Sequence, residues 1–253
     1  MAALLRKIAR SATGIVGQAR SAREILENKG NRLLSLVLAL ENAGDAAEGA
    51  LEALEVYRGL GARLAGLVWY GRNSYGSGVG EGSDPDGLSA LGRRAVRLLG
   101  SLGVAVDVSH LNRAGFLDVL REATGPVVAT HSNARAIADH PRNLDDDQIR
   151  EIAARGGVMG LCLFPKFLRD PARGPASVED AVRHLEHIAE VGGIGCIASG
   201  ADFDGIPSTP QGITGVRDLP VIADALRRRG WDEYEIAAYR GQNAFRVLES
   251  LGD

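Results

Sequence analysis

Residues 103–110 have the sequence GVAVDVSH, and residues 126–132 have the sequence PVVATHS. Each is a short run of small and β-branched residues leading to a histidine, which predicts two strands of a buried parallel sheet. Parallel strands bring their carboxyl ends to one edge, so His110 and His131 are expected at a common rim, and two imidazoles there suggest a metal. Either histidine alone is better explained as a buried residue with satisfied hydrogen bonds. The pair favours a metal site.

The composition is that of a globular protein with one domain, residues 1–253. The chain is 45% hydrophobic and 24% charged, and it is long enough to bury one large core. Its formal net charge of -3 and its dispersed basic residues argue against a nucleic-acid partner. Cys162 and Cys196 lie in apolar runs, which favours free thiols in a reducing compartment. We therefore expect a cytoplasmic protein.

The two ends of the chain are interpreted separately. No apolar stretch approaches the roughly 20 residues needed to cross a bilayer, and residues 246–253 carry no hydrophobic tail, so no membrane anchor is expected. The first 23 residues combine basic residues with Ser and Ala, as a targeting presequence does. The apolar residues from Leu4 to Leu26 also fit an amphipathic helix that covers a barrel, broken near Gly14 and Gly17. We favour the helix, because no cleavage site follows a proper apolar core.

Apolar runs and helical patterns alternate along the rest of the chain. Six strands are predicted, at Leu33–Leu40, Leu64–Trp69, 103–110, 126–131, Val158–Phe164 and Gly195–Gly200. The predicted helices are Ala46–Leu60, Leu88–Gly100, Asn112–Thr124, Asp145–Gly156, Val178–Val191, Leu219–Arg229 and Asp232–Leu251. Such repeated units predict an α/β fold with a parallel sheet, either a barrel or a doubly wound sheet. In both, ligands bind beyond the carboxyl ends of the strands.

Polar residues follow the predicted strands at those ends. They are Glu41, Asn73, His110, His131 and Asp202. One carboxylate and two imidazoles supply three ligands for zinc and leave a fourth position for water, which is typical of a catalytic site. Zinc lowers the pKa of bound water to about 7, so hydrolysis is the natural reaction.

Two further polar residues could act beside such a metal. Asp202 could accept and pass on a proton, although a turn-forming aspartate is the alternative, and we prefer that alternative for Asp204. Arg142 could hold a substrate carboxylate with its planar guanidinium, although a loop arginine is more often solvated. The other three histidines are assigned to surface or packing roles: His140, His184 and His187.

Five segments together closely resemble the membrane (renal) dipeptidase family, the M19 metallopeptidases. They are DVSH (107–110), THSN (130–133), RN (142–143), GADFDG (200–205) and GQNAFR (241–246). The resemblance implies a metallo-dependent hydrolase fold, an (α/β)8 TIM-type barrel with two zinc ions, and hydrolysis of dipeptides, including some with a D residue in second position. By position it implies that His110 and His131 bind one metal, that Glu41 bridges both metals, that Arg142 holds the substrate carboxylate, and that Asp202 handles the proton or steadies the tetrahedral intermediate.

The sequence departs from that family in three places. Relatives begin with a strand whose His-x-Asp pair holds the second zinc, and no His-x-Asp occurs in this sequence. We therefore expect a barrel truncated by its first strand, with one zinc, and with exposed sheet edges that a homodimer could cover. Trp69 stands where many relatives have a substrate-facing histidine, while the substrate-facing Asn73 matches. Glu41 is followed by Asn42-Ala43 rather than a glycine pair.

Three functions are weighed on these grounds. The first is a zinc-dependent dipeptidase-type hydrolase that cleaves the peptide bond of a dipeptide or a similar small substrate. The second is a non-catalytic relative that binds a peptide or a partner with at most one metal. A third, another amidohydrolase-like barrel, shares the metal chemistry but lacks the DVSH and DFDG segments, and it ranks last.

Overall fold

The computed structural model describes residues 14–82 and 86–252. They form two compact units. Unit 1 holds the described residues up to 126 together with 245–252, and unit 2 holds residues 127–244. None of the helices in the described part of the chain is long and apolar enough to cross a lipid bilayer.

The sheet of unit 1 places the residues that follow its strands at one edge. Its strands are β1 (Val16–Ala19), β2 (Leu34–Leu40), β3 (Ala62–Gly66) and β4 (Ala105–Asp107). Each strand pairs in parallel with the next, with Val16 beside Leu34, Ala39 beside Leu64, and Leu64 beside Ala105. Parallel pairing brings the carboxyl ends of β2, β3 and β4 to the same edge, so the residues that follow them are neighbours.

Five helices connect and cover these strands. They are α1 (Ala22–Gly30), α2 (Ala43–Ala46), α3 (Glu52–Gly59), α4 (Ala90–Ser101) and α5 (Arg113–Glu122). Ser21, Ser89 and Asn112 cap α1, α4 and α5, each accepting a hydrogen bond from the backbone N–H three residues later. Such caps satisfy N–H groups that have no partner within the helix.

Unit 2 has a second parallel arrangement. Its strands are β5 (Val127–Val128), β6 (Met159–Leu161) and β7 (Ile197–Ser199), and β6 pairs with β7. The chain after β5 also lies beside β6, because Gly160 donates to Ala129 O and Ser132 donates to Gly160 O. Glycine is required at position 160, since a Cβ there would lie 2.0 Å from Thr130 O. The segment that carries His131 therefore packs directly against β6.

Five helices lie within unit 2, and three of them begin at capping boxes. They are α6 (Asp146–Ala154), α7 (Pro165–Leu168), α8 (Val178–Gly192), α9 (Pro220–Arg228) and α10 (Glu233–Ala237). Asp145, Ser177 and Asp232 form reciprocal capping boxes at the starts of α6, α8 and α10. A last helix, α11, runs from Asn243 to Ser250.

The six predicted strands are found, one of them shifted along the chain. The favoured N-terminal helix is confirmed in part: Ile25 and Leu26 lie in α1, and the chain is not helical near Gly17, where a break was predicted. The strand there was not predicted. Residues Val16–Ala19 form β1 and not a helix. This segment is close to α1, since a Cβ on Gly17 would lie 2.4 Å from the Asn28 side chain. The part of the predicted helix before residue 14 lies outside the described residues. The prediction of one domain over 1–253 stays a prediction.

Three other predicted elements need correction. The strand predicted at Leu64–Trp69 is Ala62–Gly66, so Trp69 lies in the loop beyond it. The helix predicted over Ala46–Leu60 is interrupted, because Glu48 and Gly49 both have positive φ. The helix predicted over Asp232–Leu251 is broken at Gly241, whose φ of 156° no helix continues through.

His184 is packed in the core of unit 2, as its assignment to a packing role predicted. It is fully buried on α8. Its Nδ1 accepts from the backbone N–H of Ala134 at 3.1 Å, and its Nε2 lies 3.0 Å from Leu168 O. A neutral ring with hydrogen on Nε2 satisfies both contacts. Burial lowers the pKa of His184 to about 4.

This buried histidine should make the protein less stable in mild acid. The pKa in the folded state lies below the unfolded value of about 6.5, so the unfolded chain binds more protons between these values. The contribution of His184 to the free energy of unfolding is therefore complete above pH 6.5, and about 2 kcal/mol of it is lost by pH 5. Urea unfolding at both pH values should show a shallower pH slope for His184→Gln than for the wild type. An unchanged slope would contradict the assignment.

Candidate functional site

Glu41 and His110 meet at the edge of the unit 1 sheet. Glu41 directly follows β2, and His110 lies three residues beyond the end of β4. The Glu41 Oε1 atom is 3.0 Å from His110 Nε2, with the histidine side chain mostly buried and the carboxylate half exposed. Neighbouring ligand atoms on a tetrahedral zinc ion are about 3.3–3.6 Å apart, given bonds of roughly 2.0–2.2 Å, so these two atoms would separate slightly around an ion. The pair thus has the atom types that a shared divalent ion needs.

The backbone at both positions is in a conformation that side chains rarely adopt. His110 has a φ of 72°, and Asn42, next to Glu41, has a φ of 60°. Histidine and asparagine tolerate this left-handed region better than most residues, but the conformation still costs free energy. Residues strained in this way cluster at functional sites. Asparagine at position 42 is therefore compatible with this turn.

Asn73 holds the turn after Glu41. Its Nδ2 donates to Asn42 Oδ1 at 2.7 Å and to Leu67 O at 2.8 Å. Its Oδ1 accepts from the backbone N–H groups of Tyr75 and Gly76. The amide joins the loop beyond β2 to the end of β3, a bracing contact that its position in the sequence did not reveal. Its substrate-facing role stays a prediction.

Trp69 forms an aromatic wall beside His110. The two ring centroids are 6.0 Å apart, and Trp69 is 55% exposed. The ring of Tyr70 is tilted against the indole, with a centroid distance of 6.2 Å. An exposed indole next to His110 is suited to contact an apolar part of a small molecule.

His131 is oriented by two neighbours within unit 2. Its Nδ1 is 2.8 Å from the Thr130 hydroxyl, which leaves Nε2 for another partner. Arg142 Nη2 donates to His131 O at 3.1 Å, and Nη1 donates to the Ser132 hydroxyl at 3.3 Å. The guanidinium also lies 5.5 Å from the Phe167 ring centre. Arg142 is therefore buried and not solvated, and it braces the segment that presents His131.

Asp202 lies beyond the end of β7 in a tight turn. Its φ is 59°, and its carbonyl accepts from the N–H of Gly205. The carboxylate Oδ2 is 3.9 Å from the Cys162 thiol. Burial, with a smaller contribution from the negative charge of Asp202, raises the pKa of Cys162 to about 12, so this thiol stays protonated and acts as a weak donor.

His140 lies near Arg142 and has a packing role, one of the two roles that the sequence suggested for it. Its Nδ1 accepts from the backbone N–H of Arg142 at 3.1 Å, and its ring lies 4.5 Å from that of Phe167. Burial lowers the pKa of His140, and the positive charges of Arg142, Arg135 and Lys166 lower it further. The neutral imidazole thus supports the loop that carries Arg142. His187, by contrast, contacts Asp146 on the neighbouring helix.

A family model gives the decisive comparison. The model for membrane dipeptidase, peptidase family M19, matches residues 2–252. The chain belongs to the membrane dipeptidase family. Its fold is accordingly the α/β fold of the metallo-dependent hydrolase barrels, with the parallel strands seen in both units. The resemblance found in the sequence is confirmed.

Solved structures of the family are similar over nearly the whole chain. A metallopeptidase from Rhodobacter sphaeroides, bound to a phosphinate mimic of the dipeptide L-Ala-D-Ala, is 36% identical with a TM-score of 0.92. The match covers 99% of this chain and 73% of that one. Dipeptidase AC, a metallopeptidase of family M19, is also 36% identical with a TM-score of 0.92, over 100% of this chain and 76% of that one.

Sequence relatives differ in how much of their length this chain spans. A protein from the pqqA 5′ region of Klebsiella pneumoniae is 34% identical over 98% of this chain and 94% of its own length. Dipeptidase tcpJ of Claviceps purpurea is 32% identical over 79% of this chain and 47% of its own length. The chain thus spans about half the length of that fungal dipeptidase.

Proposed function

We propose that this protein is a zinc-dependent dipeptidase that binds one zinc ion through Glu41, His110 and His131. The observation that carries the proposal is the 3.0 Å contact between Glu41 and His110 at the edge of the unit 1 sheet. His131 lies shortly after β5, and this chain belongs to the membrane dipeptidase family. The Nδ1 atom of His131 contacts the Thr130 hydroxyl, so Nε2 is the ligand atom that we assign to it. A carboxylate and two imidazoles are a donor set that suits zinc.

The other proposed site residues would then each have a separate role in binding or converting the substrate. Bound zinc supplies an activated water at neutral pH. Asp202 would take the proton from the attacking water and deliver it to the leaving amine. The guanidinium of Arg142 would hold the substrate carboxylate, while its other donors keep His131 in place. Trp69 would contact the substrate side chain, and Asn73 would fix the turn that carries Glu41.

The substrate that we propose is a dipeptide. The Rhodobacter sphaeroides relative, 36% identical, binds a mimic of L-Ala-D-Ala, so this dipeptide and L-Ala-L-Ala are the first substrates to test. The alternative of a non-catalytic relative with one metal draws on a specific feature of the sequence. That feature is the absence of any His-x-Asp pair, the ligands of the second zinc in the family.

Metal titration of the purified protein tests both proposals. After removal of metal with a chelator, isothermal titration with zinc should show one tight equivalent per chain, and hydrolysis of L-Ala-D-Ala should return with that equivalent. Free alanine measured by amino-acid analysis gives the rate. Two tight equivalents would contradict the single-ion site. One bound equivalent without hydrolysis of any dipeptide would instead favour the non-catalytic alternative.

A further inference from the structure

A strongly basic cleft of about 460 Å³ lies within unit 2. It is bounded by the loop beyond His131, by α7 and the turn after it, and by the first half of α8. Five cationic side chains line it: Arg135, Lys166, Arg169, Arg173 and Arg183. Three carboxylates oppose them: Asp139, Asp170 and Asp180. This excess of positive charge occurs in a chain whose formal net charge is -3.

The buried carboxylate of the cleft is already neutralised. Asp180 contacts Arg169 through both of its oxygens, at 3.0 and 3.3 Å, and it also closes the capping box with Ser177. Asp170 accepts from the N–H of Ala172 at the start of a short 3-10 turn. Lys166 and Arg173 are exposed cations, and no hydrogen bond or ion pair of either side chain is found within residues 14–82 and 86–252. The side chains of Lys166 and Arg173 can therefore bind a ligand in the cleft.

Arg135 carries a donor that the folded chain leaves unsatisfied. Its Nη2 donates to Pro141 O at 3.2 Å, but its buried Nε has no hydrogen-bond partner among the described residues. Leaving a buried donor of a charged group unsatisfied costs more than an ordinary missing hydrogen bond. An anion seated in the cleft would place negative charge beside this guanidinium. Burial lowers the pKa of the neighbouring His140, and the positive charges of Arg135 and Lys166 in this cleft lower it further.

We propose that this cleft binds a small oxyanion with at least two negative charges, held by Arg135, Lys166 and Arg173. A cleft of this volume is within the range of small-molecule sites, but its walls are charged rather than apolar, which favours a phosphate or a dicarboxylate over an apolar ligand. Guanidinium groups bind both of these oxyanions through paired hydrogen bonds. The site is separate from the proposed zinc ligands and does not depend on dipeptidase activity.

Calorimetric titration with inorganic phosphate, and separately with succinate, tests the proposal and distinguishes the two ligand classes. Saturable binding with Kd below ~1 mM is expected for at least one of them, with weaker binding at high salt. Arg173→Gln and Lys166→Gln should each weaken it about tenfold, since both side chains are exposed and their loss should not disturb folding. Arg150→Gln is the matched control, because it removes an exposed arginine of α6 that pairs with Asp147.

Two further variants make the outcome decisive. Arg135→Gln should abolish binding, and if it fails to fold, the double variant Arg173→Gln/Lys166→Gln should do so in its place. His131→Ala separates this cleft from the zinc site, because phosphate bound to zinc would be lost in that variant and phosphate bound in the cleft would remain. No saturable binding of either anion, or equal binding by the cleft variants and by Arg150→Gln, would overturn the proposal.

Discussion

His131→Ala should release zinc from the protein and abolish dipeptide hydrolysis. Zinc sites formed by four protein ligands are worth roughly 10–16 kcal/mol, so one ligand contributes about 3 kcal/mol, or more than a hundredfold in Kd. At micromolar zinc the variant should therefore be purified without metal. Elemental analysis should give less than about a tenth of an equivalent per chain, and hydrolysis should fall in proportion.

His187→Ala is the matched control for that loss. It removes a histidine of the same unit that contacts Asp146 rather than a proposed ligand. Its zinc content and hydrolysis should match those of the wild type. Full zinc occupancy in His131→Ala would remove His131 from the site, while normal unfolding by urea would show that any loss of zinc is not a loss of fold. His110→Ala should give the same loss of zinc and of hydrolysis.

The sequence predicted that Glu41 and His110 lie together because strand order and strand ends are local properties. Glu41 and His110 follow apolar runs that form β2 and β4, and the parallel pairing of both with β3 brings their carboxyl ends to one edge. Apolar runs of this kind specify buried parallel strands almost independently of their surroundings. The contact between Glu41 and His110 is therefore the part of the site that periodicity and residue type could anticipate.

The bracing contacts could not be predicted in the same way. Asn73 reaches Asn42 across 31 positions, and His184 caps the N–H of Ala134 across 50. Each depends on how segments distant in the sequence pack together, Asn73 with another loop and His184 from helix α8, which no local pattern encodes. The same holds for Arg142, whose burial against His131 and Phe167 follows from the packing of unit 2. A loop arginine in the sequence is more often solvated, and only its surroundings in the fold bury it.

The strand β1 was missed for a different reason. Residues Val16–Ala19 form a strand of only four residues and include a glycine, too short for alternation to be distinguished from helical spacing. The basic residues around it also suggested a helix or a presequence. Pairing with β2 decides the matter, because Val16–Ala19 align with Leu34–Val37 in parallel register. Tertiary pairing here overrides a weak local preference.

Asp202→Asn should lower kcat by about 10²–10⁴-fold while leaving zinc content unchanged, because it removes the proposed proton acceptor and no proposed ligand. Asparagine is nearly isosteric and tolerates the φ of 59° at this position, so the turn should survive. Asp204→Asn is a close control, since Asp204 is an exposed turn residue of the same loop with a φ of 69°. Its kcat should stay within about twofold of the wild type, as surface substitutions usually have small effects.

The pH profile of kcat separates proton transfer from positioning. The acidic limb of the profile should vanish in Asp202→Asn if Asp202 is the base, and it should persist if Asp202 only orients another group. A kcat within a few fold of the wild type would assign the proton transfer to a different residue.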